Sequence, residues 1–141
     1  MKTVLFRFLI IFAIILTKNI PANSQAWALV AKDPNGESYS MKSASNEAYT
    51  YNKKVWVRHT SPRLTTHTKD GRDAVFPNAS EVKLYSFDCN SRRLMLYQVV
   101  VYNSKGLVVN TYKEEEYERT WDEVIPDSIG EMLLNKACQL F

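Results

Sequence analysis

The chain has 141 residues, 45% of them hydrophobic, with 18 Lys and Arg against 15 Asp and Glu for a formal net charge of +3. Four glycines and five prolines exclude a collagen-like or low-complexity molecule, and two cysteines allow one intramolecular disulfide at most. The positive excess lies in the first 26 residues, where Lys2, Arg7 and Lys18 have no acidic counterpart; residues 27–141 hold 15 basic and 15 acidic groups, and a nucleic-acid binder of this size is normally basic.

Lys2 and Arg7 make a basic start. Residues 8–16 are an unbroken apolar run, Pro21 follows, and Ser24-Gln25-Ala26 places small residues where a signal peptidase reads them. Such a run is too short for the roughly 30 Å hydrocarbon core, which needs about 20 apolar residues. The expected organisation is a cleaved signal over residues 1–26 and one domain over 27–141. The product is exported to the periplasm or the cell surface, with no transmembrane segment after processing. No cysteine near the cleavage site offers a lipid attachment point.

Beyond the signal, residues 27–31 read as an opening strand, and Asp33-Pro34-Asn35-Gly36 as a turn in which Pro presets φ and Gly supplies a positive one. Residues 37–41 form a weak strand, and 54–58, alternating polar with β-branched or aromatic residues, a stronger one. Residues 60–80 are polar, hold Pro62, Gly71 and Pro77, and read as a long loop. Residues 82–89 alternate as a strand. The apolar and aromatic run 94–102 suits a central strand buried on both sides, and the turn Asn103-Ser104-Lys105-Gly106 returns it through 107–112. Ser128 and Glu131 have the spacing of a capping box behind Pro126, and Ile129, Met132, Leu133 and Ala137 then recur at helical spacing. Gly130 in the first turn costs about 1 kcal/mol relative to Ala. The predicted fold class is α+β, mostly β: an antiparallel sheet or partly open barrel with a C-terminal helix docked on it.

Cys89 and Cys138 lie on opposite sides of the 94–112 hairpin. In an oxidising compartment an intramolecular bridge is the default for a lone pair, with two free thiols or intermolecular bonds as the alternatives. Such a bridge tethers the helix to the sheet. No second cysteine stands at the spacing of a redox motif.

Little else in the chain carries chemistry. His59 and His67 have no flanking acid at ligand spacing, match no metal pattern and read as exposed. Glu114, Glu115 and Glu116, with Glu118, are a solvated run that also discourages edge pairing. No serine sits in a nucleophile elbow and no glycine loop cradles phosphate. The chain is not expected to be an enzyme or to carry a metal or cofactor. Tyr97, Tyr102, Tyr112 and Tyr117 around the hairpin, with Glu114, Glu115 and Glu116, form a candidate binding surface, since tyrosine is enriched in such patches. Residues 27–105 carry 12 basic and 7 acidic groups and residues 106–141 carry 3 and 8, so a basic and an acidic surface are both available to protein partners.

The ordered combination of Asp88-Cys89 closing a strand, Arg92-Arg93, Trp121-Asp122-Glu123-Val124-Ile125-Pro126-Asp127-Ser128 leading into a helix with Glu131, and a final Cys138 resembles the surface-adhesin protein E family of bacterial exported domains. The resemblance covers residues 80–138, and Val55-Trp56 extends it weakly toward the N-terminus. Asp127 stands where a glycine is expected, and residues 36–75 match poorly. The resemblance implies an antiparallel sheet with its C-terminal helix bridged by the two cysteines. It makes Trp56, Asp88, Trp121, Pro126, Ser128 and Glu131 structural, and implies a non-enzymatic binding role toward host matrix or plasma proteins or another envelope component. A neighbouring group inhibits lysozyme-type enzymes. That makes a periplasmic inhibitor the alternative, with Glu114 to Glu118 as its acidic lobe.

Overall fold

A computed structural model of the chain describes residues 26–44, 51–67 and 71–141; apart from Ala26, the leader expected over residues 1–26 lies outside the described residues. The elements are β1 (Ala28–Lys32), β2 (Ser38–Ser43), β3 (Asn52–His67), β4 (Asp73–Asp88), β5 (Arg93–Tyr102), β6 (Val108–Lys113), β7 (Asp122–Glu123) and α1 (Ile129–Leu140). All strands pair antiparallel in one sheet, in the order β1-β2-β3-β4-β5-β6, with the short β7 on the free end of β5. This is the mostly-β, helix-capped architecture expected from the sequence.

Side-chain chemistry fixes the tight turns. Asp33 Oδ1 accepts the backbone N–H of Glu37 at 2.8 Å, and Asn103 Oδ1 accepts those of Lys105 and Leu107, each at 3.0 Å. Gly36 and Gly106 take φ of 89° and 76°, where a Cβ would be strained.

The expected loop over residues 60–80 is instead the outer half of a long β3–β4 hairpin. The ladder passes over Pro62 and Asn78: Ser61 faces Ala79 and Arg63 faces Pro77. Pro62 therefore sits where no ladder donor is required. Ser61 Oγ accepts the Arg63 N–H at 3.1 Å, and Asn78 absorbs the irregularity at φ 48°. The kink shifts the alternation by one residue, so Leu64 is buried rather than Arg63. Beyond it the arm curls toward β6, where Asn110 Nδ2 donates to the His67 carbonyl at 2.5 Å. Leu64, Ala79 and Val101 are buried under this curl, with Phe76, Val99 and Val109 around them.

The helix packs on the same face at the other end. Leu133, Leu134 and Ala137 are buried against Met41, Val55, Val57 and Phe87. Fully burying a side chain such as Phe87 or Leu134 contributes about 1.5–3 kcal/mol. The expected apolar face is rotated: Leu134 is buried, whereas Ile129 is 43% exposed. Helical spacing alone does not distinguish adjacent stripes, and the covalent anchor at Cys138 selects the one facing Phe87. A Cβ at Gly130 would crowd the N-cap, 3.3 Å from Ser128 Oγ, and would make ordinary contact with Leu94 at 3.6 Å. The β5 strand is central, but only its Val101 is fully buried, because the other face of the sheet has no covering layer among the described residues.

Cys89 and Cys138 are bonded, with Cα atoms 5.8 Å apart and a sequence separation of 49. The N-cap is a variant of the expected capping box. Ser128 Oγ accepts the Glu131 N–H at 3.2 Å, but Glu131 returns its carboxylate to the Asp127 N–H, at 2.8 Å, and to Arg92. Asp127 adopts φ 59°. A left-handed conformation there explains why a glycine is expected at this position, and why aspartate is an acceptable departure.

Two outcomes follow. Reduction should remove a loop-closure contribution of up to ~4 kcal/mol and free the helix first, because a three-turn helix is marginal without docking. Hydrogen exchange with reductant should lose protection in 129–140 before 94–101; simultaneous loss would contradict separate docking. Asp127→Gly should stabilise the domain by about 0.5–1 kcal/mol, since it relieves the left-handed strain and the Asp127 side chain accepts no hydrogen bond in the turn. Urea unfolding midpoints of the two proteins would measure this.

Candidate binding surface

Cross-strand register sorts the side chains onto two faces, because paired residues share a face and neighbours along a strand alternate. On the helix-bearing face one row reads Ala31, Tyr39, His59, Glu81, Val101, Asn110, and the adjacent row reads Ala28, Met41, Val57, Lys83, Val99, Tyr112. The charged groups of these rows lie between the two apolar clusters and satisfy one another. Lys83 Nζ is 2.7 Å from Glu81 Oε1, and His59 Nδ1 is 3.4 Å from the same oxygen. The other nitrogen of His59 lies 3.5 Å from Glu37 Oε2, too poorly aligned to count as a hydrogen bond. Tyr39 stacks on the His59 ring at 4.5 Å. His59 was expected to be exposed, but its side chain is only 15% exposed, because it points into the covered face where Tyr39 shields it. Among the described residues no group of His, Cys, Asp and Glu is arranged to hold a metal ion, this one included.

The electrostatics follow from that geometry. Burial by itself would raise the Glu81 carboxyl, but hydrogen bonds from His59 and Lys83 outweigh it and hold the pKa below 4.5. Burial would likewise lower Lys83; the opposing pull of Tyr85 and Glu81 raises it above 10.5. Tyr39 and Tyr85 are pushed up chiefly by burial. The cluster is therefore structural. It binds β3 to β4 and, through Ser61 Oγ donating to Glu37 at 3.2 Å, to the β1–β2 turn.

The other face is open. Its three central rows read Lys42, Trp56, Leu84, Gln98, Lys113; then Leu29, Ser40, Arg58, Val82, Val100, Thr111; then Lys32, Ser38, Thr60, Ser80, Tyr102, Val108. In these three rows four cations, Lys32, Lys42, Arg58 and Lys113, stand beside the large side chains of Leu29, Trp56, Leu84 and Tyr102 without a single carboxylate. Trp27 folds over Arg58, whose guanidinium carbon lies 4.0 Å from the indole centroid. Farther along, the Tyr97 ring meets two cations, Lys54 at 4.2 Å and Arg119 at 4.8 Å from its centroid.

The tyrosines named from sequence are divided by this arrangement. Tyr97, at the bulge in the middle of β5, meets Lys54 of the open face, Tyr102 ends β5 on that face, Tyr112 sits in the register of the helix-bearing face, and Tyr117 is 84% exposed on the loop after β6. Glu115 and Glu116 are exposed on that loop, while Glu114 is half-buried and continues the pairing through its N–H to the Tyr97 carbonyl at 2.9 Å. Trp56 is half-buried on the open face. Asp88 caps the turn before the disulfide, accepting the Asn90 and Ser91 N–H groups at 3.0 Å each, and the Ser91 N–H in particular lowers its pKa. Trp121 lies under Arg93, whose guanidinium is 5.8 Å from its ring. Pro126 is exposed in the turn before the helix. The cationic rows went unseen in sequence because they emerge only once alternation, bulges and register are known.

The depressed Glu81 pKa makes a signed prediction. Its stabilisation is complete above the ordinary value of 4.5 and disappears as pH falls through the lower folded-state value. Glu81→Gln should cost about 1–3 kcal/mol at neutral pH and flatten the acid limb of stability below pH 4.5. Urea titrations across that range would show it; a variant with an unchanged acid limb would place the proton uptake elsewhere.

Among the described residues no helix is long and apolar enough to cross a membrane. No curated protein and no solved structure matches the chain. The family model described as surface-adhesin protein E matches residues 27–139, a span that takes in both halves of the sheet, the helix but for its last residue, and both cysteines. The poorly matching stretch in the sequence reading thus falls inside the family's span, and the chain belongs to the surface-adhesin protein E family.

Proposed function

We propose that this protein is an exported, non-enzymatic adhesin that docks a protein partner of the host matrix or plasma on the open face of its sheet. Membership of the adhesin family supports a binding role at the surface. The observation that carries the reading is the open face itself: Lys32, Lys42, Arg58 and Lys113 surround Trp56 and Tyr102 in three rows without a carboxylate. Aromatic and arginine side chains are the usual anchors of protein interfaces. A one-signed field speeds encounter with an acidic partner and repels basic ones. The signal over residues 1–26 supplies the export route, to the periplasm or onward to the surface.

The alternative, an inhibitor of cationic lysozyme-type enzymes, rests on Glu114 to Glu118 alone, of which Glu115, Glu116 and Glu118 are exposed on the loop after β6. A cationic face of this size disfavours a cationic partner.

The test is solid-phase binding of the processed protein to vitronectin, laminin and plasminogen across a salt series. Saturable binding that weakens with salt is expected. The double variant Lys42→Glu/Lys113→Glu should reduce it at least tenfold, while leaving thermal unfolding within a few degrees of the parent. Binding that is absent, or indifferent to both salt and the charge reversals, would reject the open face as the docking surface.

A further inference from the structure

One corner of the open face is shaped differently from the rest. A cleft of about 430 Å³ opens where Trp27 folds over β3 and the β5–β6 turn rises beside it. That volume falls in the ~300–1,000 Å³ range of small-ligand sites. Arg58 lies at its edge against the Trp27 ring. Stacking leaves the guanidinium N–H groups available in the plane of the fork, and among the described residues no carboxylate pairs with them. The rest of the lining contains no acid. It offers the amide of Asn78, the hydroxyls of Thr60 and Ser80, and the ring of Tyr102. Asn103, also in the lining, uses its side-chain oxygen on the Lys105 and Leu107 N–H groups, which leaves its amide nitrogen as a donor toward a ligand.

We infer that this cleft binds a carboxylated sugar unit. Each part of the lining matches one part of that ligand. An unpaired arginine recognises a carboxylate with two parallel hydrogen bonds. Amides and hydroxyls, which both donate and accept, suit a ring bearing several hydroxyls. The negative faces of aromatic rings such as Tyr102 accommodate the weakly positive C–H face of a pyranose. A peptide carboxylate would use Arg58 but would leave most of the polar lining unmatched, and a neutral sugar would leave Arg58 unpaired. The inference rests on the adhesin reading and narrows it: the acidic partner is recognised at this corner through its glycan. Two glycan types carry such a carboxylate, sialic acid caps and the uronic acids of matrix polysaccharides, and the chemistry of the cleft is common to both.

The processed full chain should be titrated with 3′-sialyllactose, an unsulfated hyaluronan tetrasaccharide, lactose and an acidic tetrapeptide, following the Trp27 indole and Arg58 side-chain resonances by NMR. At least one sugar acid is expected to bind tenfold or more tightly than both lactose and the peptide; the arm that responds identifies the source. Arg58→Gln should abolish the preference over lactose. Asn78→Gly, which tolerates the φ of 48° and removes only the amide, should weaken binding severalfold without unfolding the arm. Equal binding of lactose, binding of the peptide as tight as that of the sugars, no binding of either sugar acid, or insensitivity to both substitutions would each overturn the assignment. Matrix-protein binding that persists alongside any of those results would leave the adhesin reading standing and remove the sugar site alone.

Discussion

The disulfide between Cys89 and Cys138 decides which face of the sheet is buried. A twelve-residue helix is not stable by itself in water, and its apolar stripe is short. Fastened at its last turn to the end of β4, it has one place to lie, over Phe87, Val55 and Met41. Arg92 adds a second hold at the first turn by pairing with Glu131 and donating to Asn135. With one end of that face taken by the helix and the other by the curled β3–β4 arm, the opposite face receives no cover from the described chain. Its exposure is a direct consequence of where a single covalent bond was placed.

Covering one face from two ends leaves a strip between the covers, and the strip holds Glu81, Lys83 and His59 rather than aliphatic residues. Burying charge is costly unless each group is paired, and here the pairing is nearly complete. The benefit lies in register. A one-residue slip of β3 against β4 would separate His59 from Glu81 and turn His59 outward, while bringing Arg58 into the covered side. Apolar rows alone would penalise such a slip less, since Val82 and Leu84 on the open face could substitute for buried neighbours. The charged strip therefore protects the segregation that keeps the open face cationic.

Much of the fold was legible from local chemistry. The β5–β6 hairpin announced itself through an apolar run and an Asn-Ser-Lys-Gly turn, the helix through Ser128 and Glu131, and the disulfide through the cysteine count. What escaped the sequence depends on relations between distant residues. Pro62 and Pro77 looked like breakers because their missing donors matter only if the ladder needs them, and the kink at Asn78 arranges that it does not. His59 looked exposed because nothing local places Tyr39 over it. The charge tally over residues 27–105 was correct as a number and uninformative as a surface, since Glu81 and Lys83 go to one face while Arg58 and Lys42 go to the other. Bulges in β1, between Leu84 and Tyr85, and in β6 each invert the alternation once. Charge segregation by face is invisible until all three are located.

The acidic run after β6 gains a physical role from the same geometry. The β6 strand is an edge, with Val108 and Tyr112 exposed on it. An exposed edge of that kind invites pairing with another chain. At its end the chain passes from Lys113 into Glu114, Glu115 and Glu116, and Arg119 turns back to donate to the Glu114 carbonyl through two nitrogens at 3.2 and 3.1 Å. The carbonyl is thereby occupied and the strand is closed off by like charges that a second copy would have to approach. Negative charge also sits beside, and outside, the cationic rows that end at Lys113. On the proposed reading, an acidic partner drawn to the open face would be repelled at the β6 edge and directed inward, toward Arg58 and the β1–β2 side.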